Sequence, residues 1–225
     1  TTTGATVIEG IDILPHSVQF YRQQLQWLGG KRIIVLAVAI LPILGVGGMQ
    51  LYRAETPGPV KDNKMTPRIA DTAKHLWYIY LSITIACAGA YWLAGMNVFD
   101  AICHSFSTVA IGGFSNHDAS LGYFNSPMVN VVCTVFLLIA ALNFSLHYAA
   151  VSSRSVKGYF NDPEFKAFFI IQASLIGICF LVLTLSGYYS SAEQALDQAM
   201  IQAVSISTTA GFATTAVSYT HLTLP

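Results

Sequence analysis

The chain has 225 residues, 54% of them hydrophobic and only 10% charged, with a mean hydropathy of +0.56. That is too apolar for an ordinary soluble domain of this length and places the chain in a membrane. Eleven basic and eleven acidic residues cancel to a formal net charge of zero, and the basic ones form no patch with interleaved aromatics, which removes nucleic-acid binding from the candidate functions.

The chain opens without Met inside Thr1-Thr2-Thr3-Gly4-Ala5-Thr6 and has no targeting stretch ahead of it, so it reads as a piece of a longer protein. Residues 33–52 carry no Asp, Glu, Lys or Arg and form the first predicted spanning helix, since about 20 apolar residues at roughly 1.5 Å rise cross about 30 Å of hydrocarbon. Pro42, Gly45, Gly47 and Gly48 inside it would kink the helix or admit a close neighbour. A loop at 53–75 follows, with Arg53, Lys61, Lys64, Arg68 and Lys74.

Residues 76–99 form the second predicted span. A short stretch at 101–110 comes after Asp100 and runs into Ala110-Ile111-Gly112-Gly113-Phe114-Ser115; it is too short to cross and reads as a re-entrant half-helix. Residues 127–151 are the third span, where Asn143 and His147, one turn apart, read as packing residues. A loop at 152–166 carries Arg154, Lys157 and Lys166. The fourth span, 167–191, leads to a second half-helix at 198–207, which comes after Asp197 and runs into Thr208-Thr209-Ala210-Gly211-Phe212-Ala213. Asp100 and Asp197 are expected at or near half-helix N-termini, where a carboxylate meets unpaired N–H groups. Cys87, Cys103, Cys133 and Cys179 sit singly without CxxC or Cys/His spacing and read as small packing residues.

The pattern is a repeat of spanning helix, half-helix, glycine loop and spanning helix. Residues 1–52 are the end of a first repeat, 53–75 a cytoplasmic loop, 76–151 a complete second repeat, 152–166 a second cytoplasmic loop and 167–215 a truncated third repeat. Residues 216–225 are a tail of doubtful origin. The two loops hold eight of the eleven basic residues, which sets them inside the cell. The opposite face carries Glu9, Asp12, Arg22, Asp100, Asp118, Glu193 and Asp197, an acidic vestibule that would concentrate cations.

Gly4, Gly113 and Gly211 lie 109 and 98 residues apart, each in a short glycine-containing loop with threonine in it or just before it. Irregular backbone at membrane depth is tolerated only where protein or a wet cavity surrounds it, and a ring of such backbones can replace a cation's hydration shell with carbonyl oxygens. Small residues keep side chains out of the way, and glycine permits positive φ. Thr3, Thr108, Thr208 and Thr209 would add hydroxyl oxygens, while Phe114 and Phe212 would wedge the loops against surrounding helices. The fold class read from this pattern is an all-α membrane protein: helix, pore half-helix with filter loop, helix, repeated around a pseudo-four-fold pore.

Several segments together resemble the TrkH family, membrane subunits of bacterial Trk potassium-uptake systems in the Trk/Ktr/HKT superfamily. They are Thr2-Thr3-Gly4-Ala5-Thr6, Gln26-Trp27-Leu28-Gly29-Gly30, the run from Leu41 through Gly45-Val46-Gly47-Gly48 to Glu55, Lys64-Met65-Thr66-Pro67-Arg68, Phe106 through Ser115, and Ser205 through Phe212. The resemblance implies four repeats in one polypeptide, a homodimer in membrane lipid and a cytosolic nucleotide-binding gating subunit resembling TrkA. It implies potassium as the transported ion, no covalently bound cofactor, no enzymatic activity and residence in the bacterial inner membrane. It also carries the potassium-filter role to Thr2, Thr3, Gly4, Ile111, Gly112, Gly113, Thr209, Ala210 and Gly211. Lys31-Arg32 departs from the family's uncharged residues at that place.

Two rival functions are a sodium-coupled secondary transporter with discontinuous helices and an intramembrane hydrolase. The first predicts inverted repeats, whereas both basic loops have every repeat entering from one side. The second needs a nucleophile with its base or paired carboxylates in a span, and the sequence has neither G-x-S-x-G nor H-E-x-x-H.

Overall fold

The computed structural model describes residues 2, 8, 10–30 and 69–214. Thr3, Gly4, the span at 33–52 and its glycines, the basic residues from Lys31 to Arg68 and the tail at 216–225 lie outside the described residues. Every regular element among the described residues is helical.

A 3-10 turn at Ile11–Ile13 precedes α1, His16–Gly29, in a stretch where the sequence reading places no helix. Its buried residues are Gln19, Arg22, Gln23 and Gln26, while Val18, Phe20, Tyr21 and Leu25 are exposed. Polar residues at i, i+3, i+4 and i+7 face the protein and apolar ones face outward, the reverse of a soluble amphipathic helix.

Helix α2, Ile69–Leu93, is long enough to cross a bilayer. It ends six residues before the predicted limit, because the chain turns at 94–97 with Gly95 at φ +105° and restarts as α3, Val98–Val109. Asn97 caps α3: its Oδ1 accepts the Asp100 N–H at 2.8 Å and its Nδ2 donates to Asp100 Oδ2 at 2.7 Å. Asp100 is therefore in the first turn as expected, but Asn97 is the cap.

The predicted span 127–151 is two helices, α4 (Pro127–Ala141) and α5 (Phe144–Ser153), with a bend of 91° between Pro127–Ala141 and Leu146–Ser153. Leu142 leaves the helical region at ψ 153°, and the His147 ring covers the break, Nε2 lying 3.0 Å from the Ile139 carbonyl and Nδ1 2.7 Å from the Tyr159 hydroxyl. His147 thus has partners that periodicity could not supply.

After α6, Lys157–Asn161, Asp162 accepts the Phe165 N–H at 2.9 Å and Pro163 opens α7, Pro163–Leu185. Pro at the first position lacks a donor that would be unpaired there anyway, so the helix starts four residues earlier than the charge-free stretch predicts. It stops before Gly187 at φ +64°. Ser191 then caps α8, Ala192–Ser207, by accepting the Gln194 N–H at 3.2 Å. Asp197 is consequently inside the helix rather than at its N-terminus, and Asn130 Nδ2 donates to it at 2.7 Å. A Ser-x-x-Gln cap outweighs the isolated acid as a start signal.

Helices α3 and α8, with 12 and 16 residues, are too short to cross about 30 Å. Helix α3 packs on α1 and α2, and α8 on α4 and α7. Tyr80, Cys87, Tyr91, Cys133, Leu137, Ile201 and Val204 make the core between them. Phe169, Ile170, Ile171, Ile178, Leu181 and Val182 on α7 are exposed, an apolar surface suited to lipid.

Candidate functional site

Both short helices end in the same way. After α3, Ile111 takes φ +54°, its N–H donates to Thr108 O at 3.0 Å and the Gly112 N–H donates to Ser107 O at 2.7 Å. After α8, Thr209 takes φ +65°, its N–H donates to Ile206 O at 3.0 Å and the Ala210 N–H to Ser205 O at 2.9 Å. Each partner is shifted by the same 98 residues. These are Schellman closures, which satisfy two carbonyls at a helix end and usually place glycine in the left-handed position. Here β-branched residues hold it, a conformation costing of order 1 kcal/mol or more apiece and persisting only where the surroundings impose it.

Two residues on, Gly113 has φ +71° and Gly211 φ +89°, whereas Gly112 and Ala210 between them do not have positive φ. Each loop thus alternates left-handed, ordinary, left-handed across Ile111-Gly112-Gly113 and Thr209-Ala210-Gly211. The loops also meet. A Cβ built on Gly113 collides with the Ala210 carbonyl oxygen, and one on Gly112 falls 3.0 Å from Gln26 Cδ; at Gly211 it meets open space.

The structure therefore brings Ile111, Gly112 and Gly113 together with Thr209, Ala210 and Gly211. Thr2 is half-buried, while Thr3 and Gly4 are outside the described residues. Two of the threonine hydroxyls, those of Thr108 and Thr208, behave otherwise than expected. Thr108 is fully buried with Oγ1 2.7 Å from the Tyr91 hydroxyl, and Thr208 Oγ1 donates back to Val204 O at 2.7 Å. Both are already engaged, Thr108 with Tyr91 on α2 and Thr208 with a carbonyl of its own helix. Phe212 is buried, with Ser205 Oγ donating to its carbonyl at 2.8 Å, whereas Phe114 is half-buried beneath the Arg22 guanidinium, 4.8 Å from its centroid.

Several residues around the loops were not singled out from sequence. Gln19 Nε2 donates to Ile11 O at 2.9 Å, and Gln23 Nε2 to Asn116 Oδ1 at 3.2 Å, so α1 grips the polar run after Gly113. Their helical spacing was the available signal. Asn116 Nδ2 donates in turn to Asp100 Oδ1 at 2.9 Å. His104, buried beneath the loop, has Nδ1 2.8 Å from Asp100 O and Nε2 2.9 Å from Ser115 Oγ. Ahead of Gly122 and after Phe212, Ala213 N–H donates to Ser120 Oγ and Gly122 N–H to Ala213 O, both at 3.3 Å.

The acids expected in an open vestibule are partly consumed by structure. Asp118 Oδ1 accepts the Ile11 N–H at 2.9 Å, and Asp12 Oδ2 accepts the Asp118 N–H at 3.2 Å. Burial opposes the charged form of Asp12, but its hydrogen bonds to His117 and to the Asp118 backbone together prevail and lower its pKa. Glu193 remains exposed.

A sequence profile of the family described as "TrkH: Cation transport protein" matches residues 1–223, running past residue 215 into the tail set aside above. The chain is 66% identical over 227 aligned residues to the Trk system potassium uptake protein TrkH of Vibrio parahaemolyticus and 61% identical over 225 to that of Escherichia coli. Each alignment takes in all of this chain and 47% of the relative, so the chain spans about half the length of the curated relatives it matches. Among solved structures, the crystal structure of the potassium transporter TrkH from Vibrio parahaemolyticus superposes with a TM-score of 0.80 at 61% identity. The superposition covers 95% of this chain and 43% of that one.

Proposed function

Because the chain belongs to the TrkH family of cation transport proteins, we propose that it supplies part of the ion pathway of a potassium-uptake system in the bacterial inner membrane. The observation that carries this reading is the repeated closure and φ alternation at 111–113 and 209–211. In extended backbone successive carbonyls point to opposite sides; alternating the sign of φ turns them to one side, where they substitute for water around a dehydrated cation. The C-terminal ends of α3 and α8 precede the loops, and their partial negative charge favours a cation nearby.

In this reading Ile111, Gly112, Gly113, Thr209, Ala210 and Gly211 line two sides of the filter, and Thr2, Thr3 and Gly4 a third. The whole protein translocates K⁺ without enzymatic chemistry or a covalently bound cofactor. It works as a homodimer with a TrkA-like gating subunit, which docks on the cytoplasmic loops at 53–75 and 152–166. Repeats end at 52 and 151, and the third begins at 167.

The full-length protein containing this chain should restore growth of a potassium-uptake-deficient bacterium in low-potassium medium. Failure despite confirmed membrane expression, together with no Rb⁺ or K⁺ flux in liposomes, would overturn the reading.

A further inference from the structure

His117 lies four residues beyond Gly113 and has no part in the reading above. Its Nδ1 is 2.5 Å from Asp12 Oδ1 and its Nε2 3.2 Å from Asp100 Oδ2. A neutral imidazole carries one N–H, so only the imidazolium donates to both carboxylates at once. Tyr123 stacks on the ring at 3.5 Å between centroids and 4° between planes, and Phe124 meets it edge-on at 5.4 Å. The ring is thus held from the sides and paired at both nitrogens.

Its two carboxylates belong to different repeats. Asp12 is in the outer segment after the first Thr/Gly loop, and Asp100 is in the first turn of α3, whose far end closes at Ile111. We propose that protonated His117 is a positioning residue for the second filter loop: it ties the outer segment of the first repeat to the N-terminal turn of α3, and its deprotonation at alkaline external pH loosens that loop and lowers ion uptake. The uptake effect rests on the filter reading given above; the tie does not.

The other groups around the ring fit an imidazolium. Asp12 faces it from the 3-10 turn, Asp100 and His104 from α3, and Tyr123 from the turn at Ser120–Phe124; Asp118 adjoins it, and Arg22 of α1 interacts with Asp118. Ser115 Oγ accepts the His117 backbone N–H at 3.1 Å and can give its own proton to His104 Nε2, while His104 Nδ1 donates to Asp100 O. His104 is satisfied as a neutral ring and adds no competing charge. Burial works against a charged His117, but the hydrogen bonds to Asp100 and Asp12 outweigh it and raise its pKa above the ordinary histidine value. The sign follows: the tie is complete below about pH 6.5 and is lost as pH rises through the raised folded-state value.

The test uses the full-length protein in liposomes at fixed internal pH. With external pH raised from about 6 to about 9, Rb⁺ uptake should fall about tenfold or more, the scale of one lost charge-assisted hydrogen bond. His117→Gln should give a flat profile at the low level, and His117→Arg, permanently charged, a flat profile above it. Hydrogen exchange of the amides at 107–117, corrected for intrinsic rates, should quicken with pH in the native protein and not in His117→Gln. Native exchange as insensitive to pH as that of His117→Gln would overturn the proposal, as would native uptake independent of external pH. A pH-dependent exchange abolished in His117→Gln, with no Rb⁺ or K⁺ flux from any variant, would uphold the tie and defeat the potassium reading instead.

Discussion

Gly113 meets two independent demands, a φ of +71° and a backbone neighbour where its Cβ would be, while Gly211 meets only the first and Gly112 only a contact with the movable amide of Gln26. A Cβ at positive φ costs of order 1 kcal/mol, and at Gly113 the Ala210 carbonyl must move as well. Gly113→Ala should therefore weaken Rb⁺ over Na⁺ discrimination most, with Gly211→Ala and Gly112→Ala milder. Na⁺ competition against Rb⁺ uptake in the full-length protein measures this, and equal competition in all three variants would reduce Gly113 to a turn glycine. The glycine positions were legible because glycine is the residue that tolerates such backbone. Ile111 and Thr209 at positive φ were not, since local preference for β-branched residues argues against it. The hydroxyls of Thr108 and Thr208 misled for a related reason: sequence shows that a hydroxyl is available but not that Tyr91 or a helical carbonyl has taken it.

Helices were legible where apolar length alone specifies them. Helices α2 and α7 came out near their charge-free stretches, with boundaries shifted by the cap at Asp162, by Gly187 and by the turn at 94–97. Helix α1 was missed because its polar stripe faces inward, where an amphipathic reading expects solvent. The break between α4 and α5 was invisible too, because Leu142 and Asn143 interrupt an apolar run without glycine or proline. What holds that break is the His147 ring, bridging the last carbonyl region of α4 and the Tyr159 hydroxyl. His147→Ala removes this partner from both groups at a part-buried place, a cost of about 1 kcal/mol. Detergent-solubilised full-length protein carrying it should melt at a lower temperature while its Rb⁺ over Na⁺ discrimination stays unchanged. An unaltered melting temperature would mean that packing, not the histidine, sets the bend.

Across the whole molecule the outer ends of successive loops are fastened to one another. The segment at Ile11 and Asp12 bonds to Asp118, and the turn at Ser120–Phe124 bonds to Ala213. None of this was legible, since the partners stand about a hundred residues apart, but the repeat that generates it was, through two matched glycine loops. Eight of eleven basic residues sit between the predicted spans, and the reading proposed above therefore puts those stretches on the cytoplasmic side and the glycine loops on the other. Lys157, which opens α6, and Ser190 are both exposed and lie beyond opposite ends of α7. In intact cells, a membrane-impermeant maleimide should label Ser190→Cys in the full-length protein and leave Lys157→Cys unlabelled until the membrane is opened. Buried Cys87, Cys103 and Cys133 should stay silent in both. The opposite labelling order would invert the molecule, put the filter loops on the inside, and undo the argument that external protons reach His117.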